Sequence, residues 1–482
     1  MPILKWGSGT GTAGRAISQV GCRFVTPCIA PMKTTFSPRR GGIATQRSRA
    51  DGVSRREFLR RSALLAAGAT LAPNLLTSTA FAATKALPSP NKSGLNHIVV
   101  AMMENRSFDH LLGWLPGANG QQAGLNFADA NGVLHPTAPL APNFQGCGHP
   151  DPDHSYEGGR VEYDGGACDG WLRAGLNDDF AIGYYTQPDL PFLGAAAPSW
   201  LACDRYFAAI LAGTYPNRIY QHAAQTDRLD NSILPFSTLP TIWDRLADHS
   251  LSRKYYFSDF PFLALWGSRY VDISHPVADF FADCAAGSLP AVSFVEPRFV
   301  GEDEGISADY HPHSDIRNGE VFLNSVYDAV VTSPNWSSTL LVITFDEWGG
   351  FFDHVAPTAA PIPSADAALG SDGLRGFRVP ALIVSPWSPR GQISSQLFDH
   401  TSVLKLIEWR WHLDPLTVRD ANANNLANAL NFSQPNLSAP RFAIDPGPYG
   451  GACPIAAPQT EAELPPEQLL DVAKSLGFPV PG

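Results

Sequence analysis

Residues 339–354 read TLLVITFDEWGGFFDH. Leu340, Leu341, Val342, Ile343, Thr344 and Phe345 form a nearly unbroken apolar, β-branched and aromatic run, the pattern of a strand buried on both faces of a parallel sheet. Asp346 and Glu347 follow at once, and Gly349-Gly350 ends the run. Two carboxylates are therefore expected at the carboxyl end of a central strand, where open α/β sheets bind ligands. Anions this close repel unless a cation or a shared proton lies between them, and hard oxygen donors suit Ca, Mg or Mn. The alternative is a helix N-cap with a solvated neighbour.

A second run, NHIVVAMM at 96–103, has the same character, and Glu104-Asn105 follows it. The layout repeats: a strand delivers oxygen donors at its carboxyl end, although Glu104 and Asn105 could instead cap the short helix suggested by Phe108, Leu111, Leu112 and Trp114. Further strands are predicted at 253–257, 291–295 and 379–385. Helices are predicted at 198–207, through Tyr220 and His222, at 318–331, at 403–411 behind a cap at Asp399–Ser402, and at 461–476. Alternating strands and helices indicate an α/β fold with a doubly wound, mostly parallel sheet. The 42 Pro and 42 Gly imply many loops. The longest, Gly117–Pro191, has little periodicity, and a loop of that length in a compact domain is usually functional.

The amino end is of another kind. Ser54-Arg55-Arg56-Glu57-Phe58-Leu59-Arg60 has the form of a twin-arginine export signal, followed by an apolar stretch from Ala63 to Leu76 and an A-x-A site at Ala80-Phe81-Ala82. Pro73 and Asn74 interrupt that stretch short of the ~20 residues needed to span a bilayer, so cleavage near Ala82 and no transmembrane span in the mature chain are expected. The chain thus divides into a leader (1–53), a twin-arginine signal (54–83), a catalytic domain (84–420) and a carboxy-terminal extension (421–482). The twin-arginine machinery becomes a partner, and the destination is periplasmic or extracellular. Residues 1–83 carry 12 Lys+Arg and 2 Asp+Glu, which leaves 22 basic and 43 acidic groups, a net charge of −21. That balance argues against nucleic acid or an anionic membrane as an electrostatic partner. Of the seven Cys, Cys22 and Cys28 precede the cleavage site, and no CxxC spacing suggests a zinc thiolate site. In an oxidising compartment disulfides form, and Cys147 with Cys168 is the expected pair.

Two loop motifs complete the candidates. Gly148–His154 reads GHPDPDH, in which His154 is either catalytic or a surface histidine. Leu211–Arg218 reads LAGTYPNR; Pro216 fits a helix's first turn, which sets the Thr214 hydroxyl at a helix amino end where backbone N–H groups attract phosphate. Thr214 could equally cap that helix.

In this order the pieces resemble a bacterial phosphoesterase family that holds phosphatidylcholine-type phospholipases C and acid phosphatases, within the alkaline-phosphatase-like superfamily. The resemblance rests on Met103-Glu104-Asn105-Arg106-Ser107-Phe108-Asp109, Thr214-x-Pro216-Asn217-Arg218, His311-Pro312, Asp346-Glu347-x-Gly349-Gly350-Phe351-Phe352-Asp353-His354 and Asp399-His400-Thr401-Ser402. It implies an alkaline-phosphatase-like fold with long loops over the active site. It also implies one divalent metal ion (Ca, Mg, Mn or Zn) held by Glu104, Asn105, Asp346 and Glu347. Thr214 would be the nucleophile, with His154 and His311 on the phosphate oxygens or the leaving group, and the motifs add Asn217, Arg218 and His354 to the catalytic candidates. The substrate implied is a phospholipid or another small phosphate ester, hydrolysed by phospholipase C or acid phosphatase chemistry. An inactive secreted binding protein on the same fold is the alternative of another class. Trp171, Tyr184, Tyr185 and Trp348 could line a choline cage or belong to the core.

Overall fold

The run at 339–345 is a strand with all seven residues buried, and it pairs in parallel with His97–Met103 over that strand's whole length. The computed structural model describes residues 86–302, 304–454 and 466–481. The leader, the export signal and the first residues of the expected last helix lie outside them.

Eight strands make the central sheet: β1 (His97–Met103), β2 (Leu201–Cys203), β3 (Arg253–Phe257), β4 (Ser274–Pro276), β5 (Val292–Val295), β6 (Thr339–Phe345), β7 (Ala381–Val384) and β8 (Gln392–Ser394). Their order is β8-β2-β7-β6-β1-β5-β3-β4. The chain winds in both directions from β1, which lies between β5 and β6, and only β7 runs against its neighbours. This is the expected doubly wound, mostly parallel α/β sheet. Because β1 and β6 are covered on both faces, each large apolar side chain along them contributes roughly 1.5–3 kcal/mol. The reversal of strand order at β1 marks the sheet's ligand-binding edge.

Five helices matter for the site: α1 (Phe108–Leu112), α2 (Tyr156–Tyr163), α3 (Thr214–Ala223), α4 (Ile316–Thr332) and α5 (His400–Trp411). Asp399 caps α5: its side chain accepts from the Thr401 N–H, and its own N–H donates to Ser402 Oγ, as the Asp-x-x-Ser pattern predicts. The helix predicted at 198–207 does not form. Leu201–Cys203 is instead strand β2, and Tyr206–Phe207 pairs with Phe398–Asp399. Leu201, Ala202, Cys203, Tyr206 and Phe207 are all buried, so packing into sheets overrode a spacing that also suits one helix face. Beyond residue 421 the chain lies on the same unit. Leu437 O accepts from Trp336 Nε1–H (2.9 Å) and Pro440 O from Tyr327 O–H (2.6 Å). The last helix, Pro466–Leu476, buries Leu469 and Ala473. No helix of the described residues is long and apolar enough to cross a membrane.

The expected Cys147–Cys168 disulfide is replaced by Cys147–Cys453, with Cα atoms 5.3 Å apart and a sequence separation of 306. Cys168 is a buried free thiol packed with Trp171 and Phe352. Cys453 reaches Cys147 because its N–H donates to Glu304 O (2.7 Å), while Gln145 donates to Gly451 O (2.6 Å). Closing so long a loop constrains the unfolded chain strongly. Cys453→Ser is therefore expected to lower unfolding stability by about 2–5 kcal/mol, read as a fall in the denaturation midpoint under non-reducing conditions. An unchanged midpoint would show that the bond does not contribute.

Candidate active site

Met103 pairs with Phe345 in the last register of β1 and β6, so Glu104-Asn105 and Asp346-Glu347 leave the sheet side by side. The Asp346 N–H donates to Met103 O (3.0 Å), and the Asn105 N–H to Asp346 Oδ1 (3.3 Å). Asn105 has φ 59°, a left-handed conformation that non-glycine residues rarely adopt and that marks stored strain at functional positions. Gly349-Gly350 makes this approach possible. A Cβ on Gly349 would lie 2.1 Å from Asn105 O, and one on Gly350 2.6 Å from the Pro152 carbonyl carbon. The turn after β6 therefore rests directly on the backbones that carry Asn105 and His154.

Helix α3 carries Thr214 and Arg218, four residues apart and so on one face. Arg218 Nε–H donates to Asp346 Oδ2 (2.9 Å) and Nη1–H to Glu296 Oε1 (2.6 Å), and Nη2 lies 3.6 Å from Glu104 Oε1. Burial opposes the Arg218 charge, but Asp346, Glu296 and Glu104 outweigh it and hold the guanidinium protonated. Arg218 is thus committed to the carboxylates. Burial raises Asp346 to about 6 and Glu296 to about 7 against the pull of Arg218. It also raises Glu104 well above the carboxylate range, with Asp346 adding to the effect. His400 steadies Asp346 from behind by donating Nε2–H to its carbonyl (2.6 Å); a carbonyl only accepts, which places the proton on Nε2. Burial lowers His400 to about 4, so it is neutral.

The loop histidines converge on the same place. A contact with Pro152 O (2.7 Å) puts the His154 proton on Nδ1, leaving Nε2 to accept from Asn105 Nδ2–H (3.2 Å) at 4.0 Å from Glu347 Oε1. His311 Nε2 lies 3.5 Å from Asp151 Oδ2, and the His311 N–H donates to Asp309 Oδ1 (2.7 Å). Asp309 O in turn accepts from the Glu104 N–H (2.9 Å).

Thr214 is buried and is the first residue of α3; the N-cap is Gly213. Capping therefore does not explain the threonine. A Cβ on Gly213 would lie 3.6 Å from His154 O, so the helix amino end adjoins the His154 loop. Asn217 has a structural role: its Nδ2 donates to Ala212 O (2.7 Å) and Ile210 O (3.1 Å), and its Oδ1 accepts from the Ile210 N–H (3.0 Å). Asn217 shapes the turn that presents Thr214.

His354 belongs to a neighbouring network. Its Nδ1 pairs with Asp109, whose other oxygen accepts from Arg378 (3.0 Å), and Arg378 also holds Asp353 (2.9 Å). Burial would lower His354, but Asp109 outweighs it and holds the imidazole above its ordinary value. None of these partners belongs to the group around Asp346. Trp171, Tyr184, Tyr185 and Trp348 are buried, and Trp348 Nε1–H donates to Glu162 Oε2 (2.7 Å); the core reading of these aromatics holds. Sequence reasoning passed over Glu296, although it follows β5 as Glu104 follows β1 and Asp346 follows β6. That shared position was the available signal.

The donor set suits a hard cation. Glu104, Glu296, Asp346 and Glu347 are buried and Arg218 is paired to the first three, so four acids face one guanidinium. Asn105 Oδ1 is buried without a hydrogen-bond partner, and such an oxygen calls for a ligand.

The Phosphoesterase family model matches residues 95–414. The chain belongs to the Phosphoesterase family. It is accordingly a hydrolase of ester bonds. It is 33% identical over 476 residues to phospholipase C A of Mycobacterium tuberculosis, covering 81% of this chain and 88% of that one. It is 31% identical to a non-hemolytic phospholipase C of Pseudomonas aeruginosa (80% and 64% covered) and 29% to a non-specific phospholipase C of Arabidopsis thaliana (80% and 79%). Among solved structures, a phosphonate monoester hydrolase of Agrobacterium radiobacter is similar with a TM-score of 0.36 at 11% identity, covering 70% and 78%.

Proposed function

We propose that this phosphoesterase is an exported, metal-dependent phospholipase C that cleaves phosphatidylcholine-like phosphodiesters through Thr214. The observation that carries the reading is the shared face of α3, on which Thr214 stands one turn from the Arg218 that clasps Asp346. The names of the relatives support a phosphodiester substrate. Glu104, Asn105, Asp346 and Glu347 would hold one divalent ion, which when bound neutralises phosphate charge and lowers the pKa of a nearby hydroxyl.

The chain's own residues then do the following. Thr214 gives its proton to solvent and its Oγ attacks phosphorus, at a helix end whose Tyr215 N–H is held by Asn231 Oδ1 (2.9 Å) and whose Pro216 has no N–H. The bond from phosphorus to the diacylglycerol oxygen breaks, and His311, held beside Asp151, gives that oxygen its proton. His154, its tautomer set by Pro152 O, aligns the Asn105 amide. Water, giving a proton to the now neutral His311, then attacks the phosphothreonine; the phosphorylated head group leaves and the Thr214 oxygen takes up a proton from solvent.

The test is kcat/KM for phosphatidylcholine, p-nitrophenylphosphorylcholine and p-nitrophenyl phosphate. Both diesters should exceed the monoester by at least tenfold. The reverse order would make the protein a phosphomonoesterase, and no turnover of any with metal present would sink the enzymatic mechanism. For export, Arg55→Lys with Arg56→Lys should retain the precursor inside the cell, while the wild type appears as a chain starting near Ala83. Normal export of the double variant would point to another route.

A further inference from the structure

We propose a second cation position, formed by Glu104, Glu302 and Asp309, beside the ion of the proposed mechanism. It rests on that reading only in sharing Glu104. One carboxylate oxygen from each of the three lies within 4.8 Å of the others, a spread that one ion with bonds of about 2.0–2.6 Å spans after small side-chain adjustments. An acidic cluster can be merely a solvated face, but here two of the acids are buried and incompletely bonded. Glu104 Oε1 is turned toward Arg218 (3.6 Å), whereas Oε2 has no hydrogen-bond partner. Asp309 Oδ1 accepts from Ser307 Oγ (2.6 Å) and the His311 N–H (2.7 Å), whereas Oδ2 is buried without a partner.

No lysine or arginine forms an ion pair with Asp309 among the described residues, and the short bonds of Arg218 go to Asp346 and Glu296. The Glu104 N–H bond to Asp309 O (2.9 Å) fixes the two backbones to each other. Half-buried Glu302 supplies the third donor and an approach from solvent. An all-carboxylate set selects a hard ion such as Ca, Mg or Mn. Glu104 then bridges two positions, one toward Asp346 and one toward Asp309.

The test is equilibrium dialysis of the full chain against Mn²⁺, with bound metal counted per folded molecule. Wild type should bind two ions. Glu302→Gln, which alters a half-buried loop residue, and Asp309→Asn, which keeps the Oδ1 contacts, should each bind one at the same free Mn²⁺, with affinity for the other at least tenfold weaker. Asp346→Asn should lose the other ion, and Glu302→Gln with Asp346→Asn should lose both. One ion in wild type, unchanged by Glu302→Gln, would overturn the second position and leave the first. No ion in wild type would overturn both.

Discussion

Thr214→Ala is expected to lower kcat per folded molecule on the order of 10³-fold or more, the scale of removing a nucleophile, while stability changes by no more than about 1 kcal/mol. The second half follows from Gly213 being the N-cap. Alanine at the first helical position removes no cap and has the better helix propensity. Thr214→Ser keeps the attacking oxygen and should retain measurable turnover. Vanadate should inhibit the wild type, and a phosphothreonine at 214 should be trapped by rapid acid quench. An alanine variant with undiminished kcat would remove Thr214 from the chemistry.

The second large effect is expected at the carboxylates. Asp346→Asn and Glu104→Gln each subtract one ligand charge, and oxygen-donor sites depend on charge count. Bound metal should weaken by about a hundredfold or more and activity should fall with it, as it should on treating the wild type with a chelator. The two variants differ in a further respect. Asp346 also accepts from Arg218 Nε and from two backbone N–H groups, so its loss should destabilise the fold as well. Arg218 keeps Glu296, which limits that loss below the roughly 3–5 kcal/mol of an abandoned buried charge. Metal content measured with thermal melting separates the two contributions. Full occupancy in both variants would contradict the assignment.

The sheet was legible wherever burial on both faces leaves unbroken apolar runs. The predicted strand at 253–257 and the apolar run at 340–345 lie within a residue of β3 and β6, and the acids after β1 and β6 could be placed because a strand's end fixes where its next residues emerge. Short strands at the far side of the sheet were not legible, since three apolar residues such as Leu201–Cys203 have no period of their own. The partner of Cys147 was hidden for another reason. Proximity of Cys453 arises from the path of more than 300 residues, and nothing local encodes it. Arg218 was visible as a motif residue, but its engagement with three carboxylates depends on how α3 docks against β1, β5 and β6. The separation of His354 from the Asp346 group likewise comes from Arg378 and Asp109, which approach it from distant parts of the chain.

The Cys147–Cys453 bond turns residues 148–452 into a covalent ring, and every metal and histidine candidate except Glu104 and Asn105 lies on it. A protease that cuts an exposed loop of that ring once makes a nicked molecule, not two fragments: the halves stay tethered and migrate as one species until a reductant is added. Under the proposed export, such a chain would survive a first cut by an external protease with its active-site loops still connected.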